Sequence, residues 1–197
     1  VEFEYAGFGS TVVAAGNLDG SIPRRDEIAI SAPAAAGGGR VFLYPGVGDP
    51  ATKPRVEVRL QPLHGGAELG AAMAPAGNLE TDPAEDLLLG APGYASSRGG
   101  VAVLSGSTDL FLLGSAMAIS IDPALGEDEN DGARFGASVV SLGDPDDDDR
   151  SEFMVGAPSH DCVIDENVFP RTGRIVVVDP GAIVSIFPDE CHGGEAG

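Results

Sequence analysis

The 197-residue chain has no tryptophan, only two cysteines and a single lysine, Lys53, beside ten arginines. Against 31 acidic residues this leaves a formal charge of -20. Nucleic acid and anionic membrane surfaces are therefore poor partners, because either needs a basic patch. No apolar run approaches the roughly 18 residues that a membrane-spanning helix requires. No signal peptide is visible, so the sequence reads as a mature form, a fragment or a cytoplasmic protein. Catalytic signatures are missing too: there is no G-x-S-x-G elbow and no H-E-x-x-H, and GFGSTV from Gly7 lacks the third glycine of a dinucleotide loop. The histidines His64, His160 and His192 all fall in predicted loops, where an exposed side chain without a role is the common case. No enzymatic activity is expected.

What the chain has is glycine, 29 residues, and proline, 15, spaced among short apolar runs such as Val101 to Leu104 and Ile175 to Val178. Runs that short, closed by turn residues, predict an all-β protein. The glycines show no period of three and 43% of residues are hydrophobic, so collagen and disorder are both excluded.

One pattern occurs three times. FGSTVVAAGNLDGSIPRRDEIAISAP runs from Phe8 to Pro33, LGAAMAPAGNLETDPAEDLLLGAP from Leu69 to Pro92, and FGASVVSLGDPDDDDRSEFMVGAP from Phe135 to Pro158. GGRVFLYPG, GGVAVLSG and TGRIVVVDPG follow in turn, and each copy ends in an alternating tail, Arg55 to Leu60, Ser115 to Ile121 and Ala182 to Phe187. Four strands per copy, A to D, at a repeat of roughly 60 residues predict the blades of a β-propeller. The expected division is 1–7 as the outer strand of a preceding blade, 8–63 as blade one, 64–130 as blade two, and 131–197 as blade three with the start of another. Three blades are fewer than the typical four to eight. The chain thus reads as part of a larger ring, completed by the rest of a longer polypeptide or by self-association.

The FG start, the [DN]-x-[DE]-x-[DST] loop and the GAP end resemble the FG-GAP repeats of integrin alpha-subunit propellers and their bacterial relatives. The resemblance covers nearly the whole chain and implies a ring of about seven blades. Copy one departs from it by a two-residue insertion around Ile22 to Arg25 and by Ser31 in place of glycine.

The loop between strands A and B is acidic in every copy, most of all in the third, where five aspartates fall between Asp144 and Asp149. Like charges at that density repel unless solvent or a cation lies among them. Calcium takes six to eight hard oxygen ligands. Side chains at loop positions 1, 3, 5 and 9, with the carbonyl at position 7, would supply them. In copy three these are Asp144, Asp146, Asp148 and Glu152 with the carbonyl of Arg150; in copy two, Asn78, Glu80, Asp82 and Asp86 with that of Ala84. Copy one offers Asn17, Asp19 and Ser21, closed by Asp26 or Glu27. Two to three calcium ions are expected, with affinity falling from copy three to copy one as the carboxylate count falls. Solvated acidic turns are the alternative, and Asp147 and Asp149 are expected to be solvated in any case. A second acidic cluster, Glu127 to Asp131, reads as solvated surface.

Because strands alternate in direction, A–B and C–D loops share one face of such a propeller and B–C and D–A loops the other. The long B–C loop Ser159 to Thr172 thus lies opposite the cation loops. By the integrin resemblance, that face would recognise a protein or glycan. Cys162 and Cys191 would both reach it. A disulfide there would imply an oxidising compartment; a zinc site with His160 and His192 is the rival, and two free thiols the third option. The function expected is adhesion or ligand binding by a calcium-stabilised propeller segment, extracellular or at the cell surface. An accessory propeller of a secreted hydrolase such as a phospholipase, or a structural spacer, are the other readings.

Overall fold

A computed structural model describes residues 7–46, 56–60, 65–80, 82–109, 115–121, 132–164 and 167–179. The chain is all-β. The first repeat forms β1 (Val12–Ala14), β2 (Ile28–Ala32), β3 (Arg40–Tyr44) and β4 (Val56–Leu60). The second forms β5 (Met73–Gly77), β6 (Asp86–Gly90), β7 (Val101–Leu104) and β8 (Ser115–Ile121), with a helical turn at Tyr94–Ser97. The third forms β9 (Ser138–Gly143), β10 (Glu152–Ala157) and β13 (Arg174–Val178), with a hairpin of β11 (Cys162–Ile164) and β12 (Asn167–Phe169) inside the long loop. Every expected A, B and C strand is present, and so are the D strands of copies one and two. The D strand expected in copy three, residues 182–187, lies outside the described residues, as do residues 1–6 and the second acidic cluster.

Each of the first two repeats is an antiparallel meander in the order A-B-C-D. They are not separate sheets, however. Strands β4 and β8 pair in parallel, Glu57 opposite Ser115 and Leu60 opposite Ala118, so that eight strands run in the order β1-β2-β3-β4-β8-β7-β6-β5. The pairing satisfies two outer edges that would otherwise expose backbone hydrogen-bonding groups. The third repeat forms a separate sheet in the order β13-β10-β9. The described strands form no closed ring.

Packing explains the hydrophobic pattern. Leu87, Leu88 and Leu89 on β6 are all buried, a continuous apolar run where a sheet facing solvent would alternate. Leu87 and Leu89 join Val41, Leu43 and Val58 of repeat one in one core, while Leu88 joins Phe153, Val155 and Val176 of repeat three in another. Repeat two is thus covered on both faces by its neighbours. The outward sides of repeats one and three keep exposed apolar residues, Val12 at 58% and Val140 and Ile175 at 51% each, although Phe42, on the same side as Val12, is fully buried.

Backbone ties repeat as faithfully as the sequence does. Within each repeat the N–H of the FG glycine donates to strand B: Gly9 to Ser31 O at 2.9 Å, Gly70 to Gly90 O at 2.8 Å, Gly136 to Gly156 O at 3.0 Å. Between repeats, Leu69 N–H donates to Gly38 O at 2.8 Å and Phe135 N–H to Arg98 O at 2.9 Å. At the opposite end of the strands, Glu85 N–H donates to Asn17 O at 3.0 Å and Ser151 N–H to Asn78 O at 2.9 Å. These last two bonds set the three acidic loops in a row along one edge of the stack.

Candidate cation site

Each acidic loop turns on its own first side chain. Asn17 Oδ1 accepts from Ser21 N–H at 3.0 Å and Ser21 Oγ at 3.1 Å. Asn78 Oδ1 accepts from Glu80 N–H at 3.0 Å, and its amide donates to the carbonyl of Asp82. Asp144 accepts through both oxygens, from Asp148 N–H at 3.0 Å and Asp149 N–H at 2.9 Å. Asx turns of this kind let a short polar residue replace a backbone turn. Asp147 and Asp149 adopt positive φ, 60° and 69°, and are exposed, as expected of residues that only carry the chain round.

The closing acid at the mouth of strand B separates the copies. Glu27, 1% exposed, accepts at Oε2 from Leu18 N–H at 2.7 Å and, more weakly, Asp19 N–H at 3.4 Å. Asp86, 3% exposed, accepts from Leu79 N–H at 2.8 Å and Gly106 N–H at 2.9 Å. Glu152 is 5% exposed, yet neither of its carboxylate oxygens finds a hydrogen-bond partner. Two loops therefore spend their backbone donors on the buried acid, and the third does not. A buried carboxylate without donor or counter-charge is costly.

Oxygens of Asp144, Asp146 and Glu152 lie within 4.8 Å of one another. Among the described residues no other group of three acids or metal-binding side chains converges so closely. Asp148 stands apart from this group, its Oδ1 accepting from Arg150 N–H at 2.9 Å. In copy two, Glu80 accepts from Ser105 Oγ at 3.2 Å and Asp82 from Ala84 N–H at 2.9 Å, so the acids are held by local donors. In copy one, Glu27 is the acid that closes the loop. Asp26 is exposed and pairs with Arg24 at 3.2 Å, which also pairs with Glu85 of the next loop. Cys162 lies on β11, while its expected partner Cys191 and the zinc rival's His192 lie outside the described residues.

One contributor escapes a loop-centred reading. Asp179, directly after β13, acts electrostatically on both Glu152 and Asp146. The C–D turns reach the acidic loops in the other copies as well, through Ser105 and Gly106 in copy two and the Gly46 amide in copy one. The signal is the triplet ending strand C, YPG, LSG or VDP, of which only the third carries an acid.

Among the described residues, four carboxyls are raised above their ordinary range. Burial comes first for Glu152, then repulsion by Asp146, Asp179, Asp148 and Asp144. Lost solvation, then Asp148, raises Asp146; burial leads for Glu27 and Asp86 also. A raised value in the fold means that the ionised form is disfavoured there. The contribution to stability is then complete below the ordinary value, 4.5 for glutamate and 3.8 for aspartate, and is lost as pH rises through the raised one. Melts in chelator should accordingly show the midpoint falling as pH is raised above the ordinary carboxyl range. A flat or rising profile would count against the repulsion. Saturating calcium should reverse the slope, because protons compete with the cation for the same oxygens.

No protein-family model matches the chain, and no curated protein matches it either.

Proposed function

We propose that the third acidic loop is a calcium site, and that the chain is a cation-stabilised segment of an FG-GAP-type propeller whose opposite face binds a protein or glycan. Glu152 carries the reading: a buried carboxylate with no hydrogen-bond donor, set against two further carboxylates, is a ligand set lacking its counter-charge. Hard oxygen donors of this kind suit calcium better than zinc, while magnesium demands a stricter octahedron. Site three ranks first because its acids converge. The closing acids of sites one and two, Glu27 and Asp86, already accept from backbone donors, so their affinity is lower.

The role of the ion is to rigidify. With Asp144, Asp146 and Glu152 drawn together, the loop is tied to the mouth of strand β10, and the Asp179 turn is drawn toward it. For a cell-surface or extracellular chain the affinity to expect is that of extracellular modules, about 10⁻⁴ to 10⁻³ M. On the far face the β11–β12 hairpin offers Val168 and Phe169, 61% and 42% exposed, as an apolar contact for a partner.

Thermal melts with calcium and with chelator test the proposal. A ligand at 100 times its Kd stabilises by about 2.7 kcal/mol, which for a chain of this size raises the midpoint by roughly 5–10 °C. Equal midpoints in both buffers would remove the calcium site. The binding role is tested separately, by loss of a saturable ligand on substitution of Phe169 but not of Asp19.

A further inference from the structure

The turn after strand C meets the acidic loop at the same register position in every copy. Val178 opposes Phe153 on the β13–β10 ladder, so one step further Asp179 stands opposite Glu152. Leu104 opposes Leu87 and Tyr44 opposes Ile28, which sets Ser105 opposite Asp86 and Pro45 opposite Glu27. Residues opposed in this way carry their side chains on one face of a sheet, with Cβ atoms about 4.5–5.5 Å apart. Copy two shows where that face leads: Ser105 Oγ donates to Glu80 Oε1 at 3.2 Å. Glu80 holds loop position 3, the place of Asp146 in copy three. Asp179 thus occupies the position from which a side-chain oxygen reaches both the closing acid and position 3.

The next residue of the turn differs as well. In copies one and two it is glycine, and the amides of Gly46 and Gly106 donate to the closing acids Glu27 and Asp86. A Cβ on either glycine would overlap the carbonyl oxygen of Asp26 or Glu85, so the donor comes this close only because it has no side chain. Copy three has Pro180 there. It lies outside the described residues, but proline has no N–H in any conformation. A turn that supplies the other closing acids with a donor therefore offers Glu152 a second carboxylate in place of one.

Asp179 is half-buried, and its charge acts on both Glu152 and Asp146. The acidic loop brings Asp144 and Asp146 to Glu152, while Asp148 stands apart on the Arg150 amide. A fourth acid directed at that group adds repulsion unless a cation lies among the carboxylates. Glu152, 5% exposed and without a partner at either oxygen, is the independent sign that one belongs there.

Given the calcium site proposed above, on which this rests, we infer that Asp179 is a further carboxylate ligand of its ion, so that the site is built by the A–B and C–D turns together. The ion then ties the end of β13 to the mouth of β10. Of the three triplets that close strand C, only VDP combines an added acid with a missing donor, and it marks the copy that holds the ion.

Terbium, a luminescent hard cation that takes the place of calcium on oxygen ligands, tests the inference when added in substoichiometric amounts so that site three fills first. Asp179→Ala should weaken its binding at least about tenfold. It should also add about one water to the shell of the ion, since water fills a vacated ligand position; luminescence lifetimes in H₂O and D₂O count it. Asp147→Asn removes the same charge from an exposed side chain outside the converging group, and should change neither reading. Circular dichroism confirms that Asp179→Ala folds; if it does not, Asp179→Asn, read by affinity alone against Asp147→Asn, replaces it. Wild-type affinity in the Asp179 variant, a loss no larger than that of Asp147→Asn, or an unchanged water count in Asp179→Ala would overturn the inference, and the calcium site would stand as long as Glu152→Gln still weakened binding. A wild-type chain that takes up no terbium, or a Glu152→Gln variant that binds it as tightly as wild type, would remove the site and the inference together.

Discussion

Replacing Glu152 by glutamine is expected to stabilise the metal-free chain and to remove most of its response to calcium. The two effects have opposite signs and one cause. Without a cation, the Glu152 carboxylate is buried without a donor beside Asp144 and Asp146, so its charge works against the fold. Glutamine keeps the shape, removes the charge and brings an N–H₂ group that can donate to those two carboxylates. A hydrogen bond to a charged acceptor contributes about 1.5–3 kcal/mol, less the cost of holding the amide in place. A net gain of about 1 kcal/mol, or roughly 2–4 °C in midpoint in chelator, is the scale to look for.

In calcium the same substitution deletes a charged ligand. The apparent affinity should fall at least about tenfold, 1.4 kcal/mol, and the calcium-dependent rise in midpoint should shrink with it. Asp147→Asn supplies the control: its side chain is exposed and outside the converging group, so both melts should match wild type. If E152Q instead destabilised the chain in chelator and left the calcium response intact, the site would have to be sought elsewhere.

The second large effect is expected at Gly99. Alanine there would need a left-handed backbone, φ 91°, at a cost of about 1–2 kcal/mol. Its Cβ would also collide with backbone rather than a flexible side chain, lying 2.8 Å from Phe135 C and closer still to its N and O. Forcing the joint apart adds about 1–3 kcal/mol, and breaking the Phe135-to-Arg98 hydrogen bond would add to it. Denaturant unfolding of Gly99→Ala should therefore show a loss of about 2–5 kcal/mol. Gly173→Ala has the backbone term alone, because its neighbours stand at 3.7 Å and beyond. Equal losses at the two positions would mean that close approach contributes nothing and that φ alone makes these residues glycine.

The contrast between these glycines marks where sequence reading stops. Gly39, Gly99 and Gly173 occupy the same place in the repeat, and nothing local tells a packed joint from an open one. Among the described residues the next repeat seats against Gly39 and Gly99, and the residues that do so, Leu69 and Phe135, lie some 30 positions further along the chain. The pairing of β4 with β8 was likewise illegible, because each tail reads as an ordinary outer strand and only their meeting joins two meanders into one sheet.

The acidic loops divide in the same way. Alternation of acids, the Asx turns and the buried closing position at the mouth of strand B are local properties that follow from residue type and order: a polar first residue folds its loop, and an acid directly before an apolar strand is carried inward. Which acids meet was a tertiary decision. Copy one offered Asp26 and Glu27 as neighbours, and strand register turned Glu27 inward while Arg24 held Asp26 at the surface. Copy three offered four acids, and Asp148 was drawn off by the Arg150 amide while Asp179 came close enough from the next turn to act on Glu152. The donors that quiet Glu27 and Asp86 come in part from turns distant in the chain, and in copy three no such donor reaches Glu152. The repeat, the all-β architecture and the set of candidate ligands follow from composition and spacing. Convergence, burial and unmet hydrogen bonding depend on distances across the stack, and packing of one repeat on another sets those.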